Sequence, residues 1–232
     1  LGPKVIDRIL VTRYINSIHP IDKEYRVTSA FAPGVFGTSG VETSDIVCKL
    51  TEIVKPDFLI VIDALKAMNV NRVNKTIQIS DAGIAPGSGI GNKRKEISKE
   101  TIGIPVIAIG VPTITDASII VSDTIKYLYK KLSYTEDNMN NSVYKFKRDK
   151  DINYLEKESK ELTVEEKTKI LGLVGSLEEE DVRQLIYEVL EPIGYNLMVT
   201  VKEIDFIIKE LVEVLSKALN ASLHNKKISN FY

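Results

Sequence analysis

Cysteine and histidine are nearly absent from this 232-residue chain, which holds one cysteine, Cys48, and two histidines, His19 and His224. A single thiol cannot form an intrachain disulfide, so an intracellular, reducing compartment is the expectation. Neither histidine sits in a metal-ligand pattern, so no metal and no other cofactor is expected. Ser-His and Cys-His nucleophile arrangements have no recognisable spacing either. An excess of one charge is also lacking: 31 Lys and Arg face 32 Asp and Glu, for a formal net charge of -1. That balance removes the footprint of a general DNA or RNA binder, while leaving room for a local basic patch. Long apolar runs are missing too. The longest, Phe58 to Ile62, is interrupted by Asp63 and falls far short of the roughly 20 residues of a membrane span. No basic segment leads into an apolar one at the start, so neither membrane nor nucleic acid is expected as a partner. The chain opens on Leu1-Gly2-Pro3 rather than on methionine, so a fragment or processed form is expected.

What is present suits a globular fold. Hydrophobic residues make up 44% and charged residues 27% of the chain, and a domain of this length buries about 70% of its unfolded surface without disulfides or metals. Pro3 suits the first turn of a helix, and Val5, Ile6, Ile9, Leu10 and Arg13 to Ile18 follow at helical spacing. Val27 to Phe31 reads as a short strand. A helix is expected from Thr38 to about Val54, with Ile46, Val47, Leu50, Ile53 and Val54 on its apolar side and Cys48 packed in the core. Phe58 to Ile62 and Ile104 to Val111, the latter ended by Pro112, read as strands buried on both faces. Thr76 to Ser80 reads as a half-buried strand. Thr113 to Leu132 reads as a helix. Strands alternating with amphipathic helices argue for an α/β layered sandwich.

From Ser133 to about Glu166, asparagine and charged residues dominate and periodicity fades, as in a solvated linker or mobile insertion. The expected division is an α/β core at 1–132, this polar stretch at 133–166, and a helical part at 167–232 packing on the same domain. In that last part Ser176-x-x-Glu179 and Thr200-x-x-Glu203 have the form of capping boxes. The first heads a helix to Leu190, stopped by Glu191-Pro192-Ile193-Gly194. The second heads a helix to about His224, with Ile204, Ile207, Ile208, Leu211, Val212, Leu215 and Leu219 in one stripe. Asn196 to Val199 reads as a short strand between them.

Asp63 is the first candidate for chemistry. It follows the apolar strand Phe58–Ile62, at the carboxyl end where α/β folds place their functional crevices. A carboxylate partly desolvated there has a raised pKa suited to acid–base work. The plainer reading is a cap for an Ala64-Leu65-Lys66 turn. The glycine-rich run Gly83 to Lys95 resembles a phosphate cradle but fails both tests. Five residues after Gly87 stands Asn92, so no P-loop forms, and the dinucleotide fingerprint has the wrong third spacing. Lys93, Arg94 and Lys95 at its end could instead meet acidic groups of a protein substrate. Glu42 lies in a first helical turn and either serves the helix dipole or supports a site. Asp81 either forms a turn or joins a site, and Asp116 can cap a helix.

Several stretches, in order, resemble the germination proteases of spore-forming bacteria. They include Leu10-Val11-Thr12-Arg13, Ala32-Pro33-Gly34-Val35, Gly40-Val41-Glu42-Thr43-Ser44-Asp45, Ile62-Asp63-Ala64-Leu65 and Thr76-Ile77-Gln78-Ile79-Ser80-Asp81. Pro86-Gly87-Ser88-Gly89, Gly91-Asn92-Lys93-Arg94-Lys95-Glu96, Ile104 through Thr113, Leu185 through Leu190 and Asn196 through Thr200 continue the match. The resemblance implies a three-layer α/β/α sandwich with a mixed sheet, similar to hydrogenase-maturation proteases. It implies an atypical aspartic endopeptidase that degrades small acid-soluble spore proteins in the cytoplasm and spore core, made as a zymogen and assembled as a homotetramer. One catalytic aspartate of the family stands in an Ile-Asp-Ala-Leu motif, matched here at Asp63. The other stands in Thr-Pro-Asp-Ala-Leu-Gly-Pro, of which this sequence has only the tail, Leu1-Gly2-Pro3. Its partner would fall just before Leu1, so the chain as given is expected to be inactive. Glu42, Asp81, Lys93 and Arg94 are the candidates for binding substrate or supporting the site. The rival readings are a metal-dependent maturation-type protease on the same fold, a module that binds spore protein without cutting it, and, more distantly, a nucleotide-binding domain.

Overall fold

The computed structural model describes residues 1–20, 22–90, 94–140, 152–190 and 197–224. Among them are helices α1 (Gly2–Ile6), α2 (Arg13–Ile18), α3 (Phe36–Ser39), α4 (Thr43–Val54), α5 (Lys99–Ile102), α6 (Ala117–Asn138), α7 (Val164–Leu171), α8 (Glu179–Leu190) and α9 (Ile204–Leu223). The strands are β1 (Leu59–Ala67), β2 (Gln78–Ser80), β3 (Val106–Asp116) and β4 (Met198–Val199). The fold is α/β, with a mixed sheet in the order β1-β3-β2 and β4 also on β3. The chain forms two compact units. The first comprises Leu1–Lys66, Arg72–Ile114 and Thr200–Tyr232, and the second Ala67–Asn71 and Thr115–Val199. Of the helical C-terminal part, α9 contributes Ile208, Val212 and Leu215 to the core of the first unit.

The core of the first unit follows from two periodicities. Ile109 and Val111 of β3 join Val5 of α1 and Ile208, Val212 and Leu215 of α9, with Ile60 and Ile62 of β1 packed against the cluster. Side chains alternate across a strand, so Asp63 and Leu65 project from the opposite face of β1. Gly110 projects nothing from that face of β3, and Leu65 fills the space: a Cβ at Gly110 would stand 2.2 Å from a Leu65 methyl carbon. Gly110→Ala is expected to destabilise the protein by about 1–3 kcal/mol through overpacking. Adding Leu65→Ala should recover part of that loss, read from denaturant midpoints.

Several sequence expectations are corrected here. The strand through Phe58–Ile62 continues past Asp63 to Ala67, so no turn follows for Asp63 to cap. β3 likewise runs through Pro112, and α6 starts at Ala117 rather than Thr113. Proline is tolerated because the β2 pairing ends at Gln78 opposite Gly110, where no ladder partner needs its missing N–H. The Pro112 carbonyl accepts instead from Asn74 N–H at 2.7 Å. β2 is exposed on all three residues rather than half-buried. The first helix is split into α1 and α2, and the second into α3 and α4, with Gly40 in left-handed backbone between them. Cys48 is only half-buried on α4. Val27–Phe31 forms no strand; Thr28 there is tied to Thr12 and Leu10 by side-chain hydrogen bonds. Thr200 does not cap α9, because its hydroxyl donates to the Thr113 carbonyl at 2.7 Å. His224, at the end of α9, is buried and accepts the Arg26 N–H through Nδ1 at 3.2 Å.

In the second unit β4 pairs antiparallel with the end of β3, Met198 opposite Asp116. Asp116, 2% exposed, heads α6 without a side-chain cap and accepts the Tyr187 hydroxyl of α8 at 3.0 Å. The stretch read as a polar linker is partly packed. α6 continues to Asn138, and Ile152, Tyr154 and Leu162 are buried. Tyr154 lies edge-on between Tyr127 and Tyr134 of α6, at 5.8 and 5.7 Å. Thr163 and Glu166 form a reciprocal capping box at the head of α7. The stop at Glu191–Gly194 and Asn196 lie outside the described residues.

Candidate active site

Asp63 sits half-buried in β1. Its Oδ1 accepts the N–H of Ala64 at 2.8 Å, and Oδ2 accepts the N–H of Gly87 at 3.3 Å. Burial pushes the Asp63 pKa above the ordinary carboxylate value, and the N–H donors of Ala64 and Gly87 oppose the shift without cancelling it. Desolvation therefore outweighs hydrogen bonding, which leaves a carboxyl group able to exchange its proton at a milder pH than a surface aspartate.

The second partner comes from the glycine-rich loop. Ile84 and Ile97 exchange both backbone hydrogen bonds, at 3.0 and 2.7 Å, and close the loop at its base. Gly87 adopts φ +79, a left-handed conformation that glycine enters without steric cost. Gly89 stands close to the Lys66 backbone, where a Cβ would be 3.4 Å from Lys66 N. The loop thus lies along the second half of β1, and one of its amides binds an anion of its own chain. The sequence reading missed Gly87 as a donor. Its signal was the Pro86-Gly87 dipeptide, a turn former that leaves glycine at positive φ.

Leu1 also reaches this centre. A Cβ at Gly2 would lie 3.0 Å from the Ile62 carbonyl oxygen, and Leu1 and Ile62 both pack against the core cluster. Glu42 and Arg94 are paired with each other, Arg94 Nη1 donating to Glu42 Oε1 at 3.0 Å. The Arg94 guanidinium carbon lies 4.5 Å from the centre of the Phe36 ring. Lys95 bonds Asp45 at 2.9 Å. Both described cations of the basic run are thus engaged within the chain. Lys93 lies outside the described residues. Asp81 is exposed just beyond β2, and the structure does not bring it into the hydrogen bonds that Asp63 makes with Ala64 and Gly87. Among the described residues, no three His, Cys, Asp or Glu side chains group so as to hold a metal. No helix among them is long and apolar enough to cross a membrane.

The fold and this centre together define an α/β domain with a half-buried carboxylate borne on a strand. The family model for germination proteases matches residues 1–230. The chain is 48% identical over 235 residues to the germination protease of Geobacillus sp. (strain WCH70), covering 97% of this chain and 62% of that protein. It is 49% identical over 234 residues to those of Bacillus mycoides (strain KBAB4) and Bacillus cereus (strain AH187), covering 97% of this chain and 63% of each. The chain belongs to the germination protease family. It spans less than two thirds of the length of these relatives.

Proposed function

We propose that the protein is an endopeptidase of spore germination in which Asp63 is one of two carboxylates that activate water. The observation that carries the reading is Asp63 itself, half-buried, with a raised pKa and two fixed backbone donors. Its partner is the aspartate of the family's Thr-Pro-Asp-Ala-Leu-Gly-Pro motif, which would stand immediately upstream of Leu1. The closeness of Gly2 to the carbonyl of Ile62, the neighbour of Asp63, supports that placement. Two carboxyl groups at short range hold one proton between them, since both cannot ionise together. The ionised one takes a proton from water as its oxygen attacks the scissile carbonyl carbon. The protonated one donates a hydrogen bond to the carbonyl oxygen. Collapse of the tetrahedral intermediate breaks the C–N bond, and the proton passes to the leaving amine.

The substrates in this reading are small acid-soluble spore proteins, cut in the spore core by a homotetramer that matures from a zymogen. Arg94 and Lys95 are paired within the chain, which weighs against their meeting acidic substrate side chains. The test is cleavage of a small acid-soluble spore protein by a longer chain that includes the residues upstream of Leu1. Cleavage is expected, and so is its loss when the upstream motif aspartate becomes asparagine. Undiminished cleavage by that variant would overturn the carboxylate pair.

A further inference from the structure

Beyond the two carboxylates, we infer that Asn220 is a positioning residue: its side-chain amide pins the α1 segment on α9 and so sets where the chain just upstream of Leu1 stands beside Asp63. The inference rests on the carboxylate pair proposed above, while the geometry of the pin stands by itself. Asn220 lies in the last turn of α9. Its Oδ1 accepts the N–H of Leu10 at 2.9 Å, and its Nδ2 donates to the carbonyl of Arg8 at 2.9 Å. One amide thus bonds the main chain in both directions, as a neighbouring strand would, across 210 and 212 positions of sequence.

The rest of this seam is apolar. Leu1, Val5 and Ile9 follow at four-residue spacing. Val5 is buried among Ile208, Val212 and Leu215, and Leu1 and Ile9 pack against the same cluster. Such burial holds α1 down without choosing its position along α9, because hydrophobic attraction is non-directional. A single polar side chain in an apolar helix seam is what sets register. The other ties of the stretch, from the Thr28 hydroxyl to the Leu10 carbonyl and from Thr12 N–H to the Thr28 hydroxyl, run to residue 28 rather than to α9. At the other end of the segment Gly2 abuts β1, where a Cβ would stand 3.0 Å from the Ile62 carbonyl oxygen. Ile62 immediately precedes Asp63, so a slide of α1 along α9 is a displacement of the chain beside Asp63. Two carboxyl groups that share a proton stand about 3 Å apart, and a misplacement of about 1 Å can cost about 10²-fold in rate.

The test is made on the longer, cleaving chain. Asn220→Ala removes both bonds, and Asn220→Asp keeps the acceptor for Leu10 while losing the donor to Arg8. Both are expected to lower kcat, by about tenfold or more in Asn220→Ala, with KM unchanged. The pH profile of kcat gives a reading that a loss of stability alone would not move. A carboxylate pair gives a bell whose limbs are spread by the repulsion of the two anions. Drawing the groups about 1 Å apart weakens that repulsion, so the acid limb rises, the alkaline limb falls and the bell narrows by about one pH unit. Tyr187→Phe, which gives up one hydrogen bond to Asp116 in the second unit, is the control and is expected to keep both kcat and the width of the bell. A bell of wild-type width in either folded Asn220 variant would overturn the inference, and so would an altered KM with unchanged kcat. Failure of the carboxylate pair would show separately, as undiminished cleavage by Asp63→Asn. The Leu10 amide would even then lose protection from hydrogen exchange in Asn220→Ala.

Discussion

Asp63→Asn is expected to abolish cleavage by the longer chain while leaving this fold at least as stable at neutral pH. Loss of a positioned acid–base group lowers the rate by at least about 10²–10⁴-fold. The stability side follows from linkage. The folded-state pKa of Asp63 lies above its reference value of 3.8, chiefly because burial penalises the charge. The folded protein therefore binds this proton more tightly than the unfolded chain does. Its stability falls as pH rises from the unfolded value through the raised folded value, and is flat above that. Asparagine carries no charge and removes the fall, so urea midpoints of the two proteins should agree at pH 3 and part in favour of the variant by pH 7. A variant clearly weaker at pH 7 would mean that the carboxylate is there for the fold. A group that costs stability in the state in which it works is the mark of a functional site rather than a structural one.

Tyr154→Ala is expected to cost about 3–5 kcal/mol, the range for deleting a buried aromatic side chain. Tyr154 is 1% exposed and makes edge contacts with Tyr127 and Tyr134 of α6, geometry that adds to the energy of burial alone. Chemical unfolding followed by circular dichroism would read the loss. A cost under about 1 kcal/mol, typical of a surface substitution, would show that this tyrosine does not hold the second unit together.

That residue also shows where the sequence was opaque. Around Tyr154 the composition is so polar that no window carries a period, yet three apolar residues, Ile152, Tyr154 and Leu162, are buried and anchor the segment while the charged residues between them stay exposed. Composition averages over the very spacing that matters. The long elements were legible because their patterns are strong. The stripe of α9 supplies Ile208, Val212 and Leu215 to the core as its period requires. The strands were found but cut short. Asp63 and Pro112 are residues that usually end strands, and here pairing with neighbours distant in sequence carries β1 and β3 through them. At the site, Asp63 could be singled out from its place after an apolar run. The Gly87 donor and the Arg94–Glu42 pair could not, because Asp63 and Gly87 lie 24 positions apart and Arg94 and Glu42 lie 52. Nothing local marks Arg94 as facing inward, and its charge reads equally well as a lure for substrate.

The closed neck of the glycine-rich loop bears on how such a protein can change over time. With Ile84 and Ile97 bonded to each other in both directions, the ends of the loop are joined whatever happens at its tip. Lengthening a loop whose ends are already held costs little, about 0.6 kcal/mol for each doubling. Insertions beyond Gly89 would leave the neck, the Gly87 amide and the Asp63 carboxylate in place. The length of this loop can therefore drift, one residue at a time, without passing through forms that have lost the Gly87–Asp63 hydrogen bond.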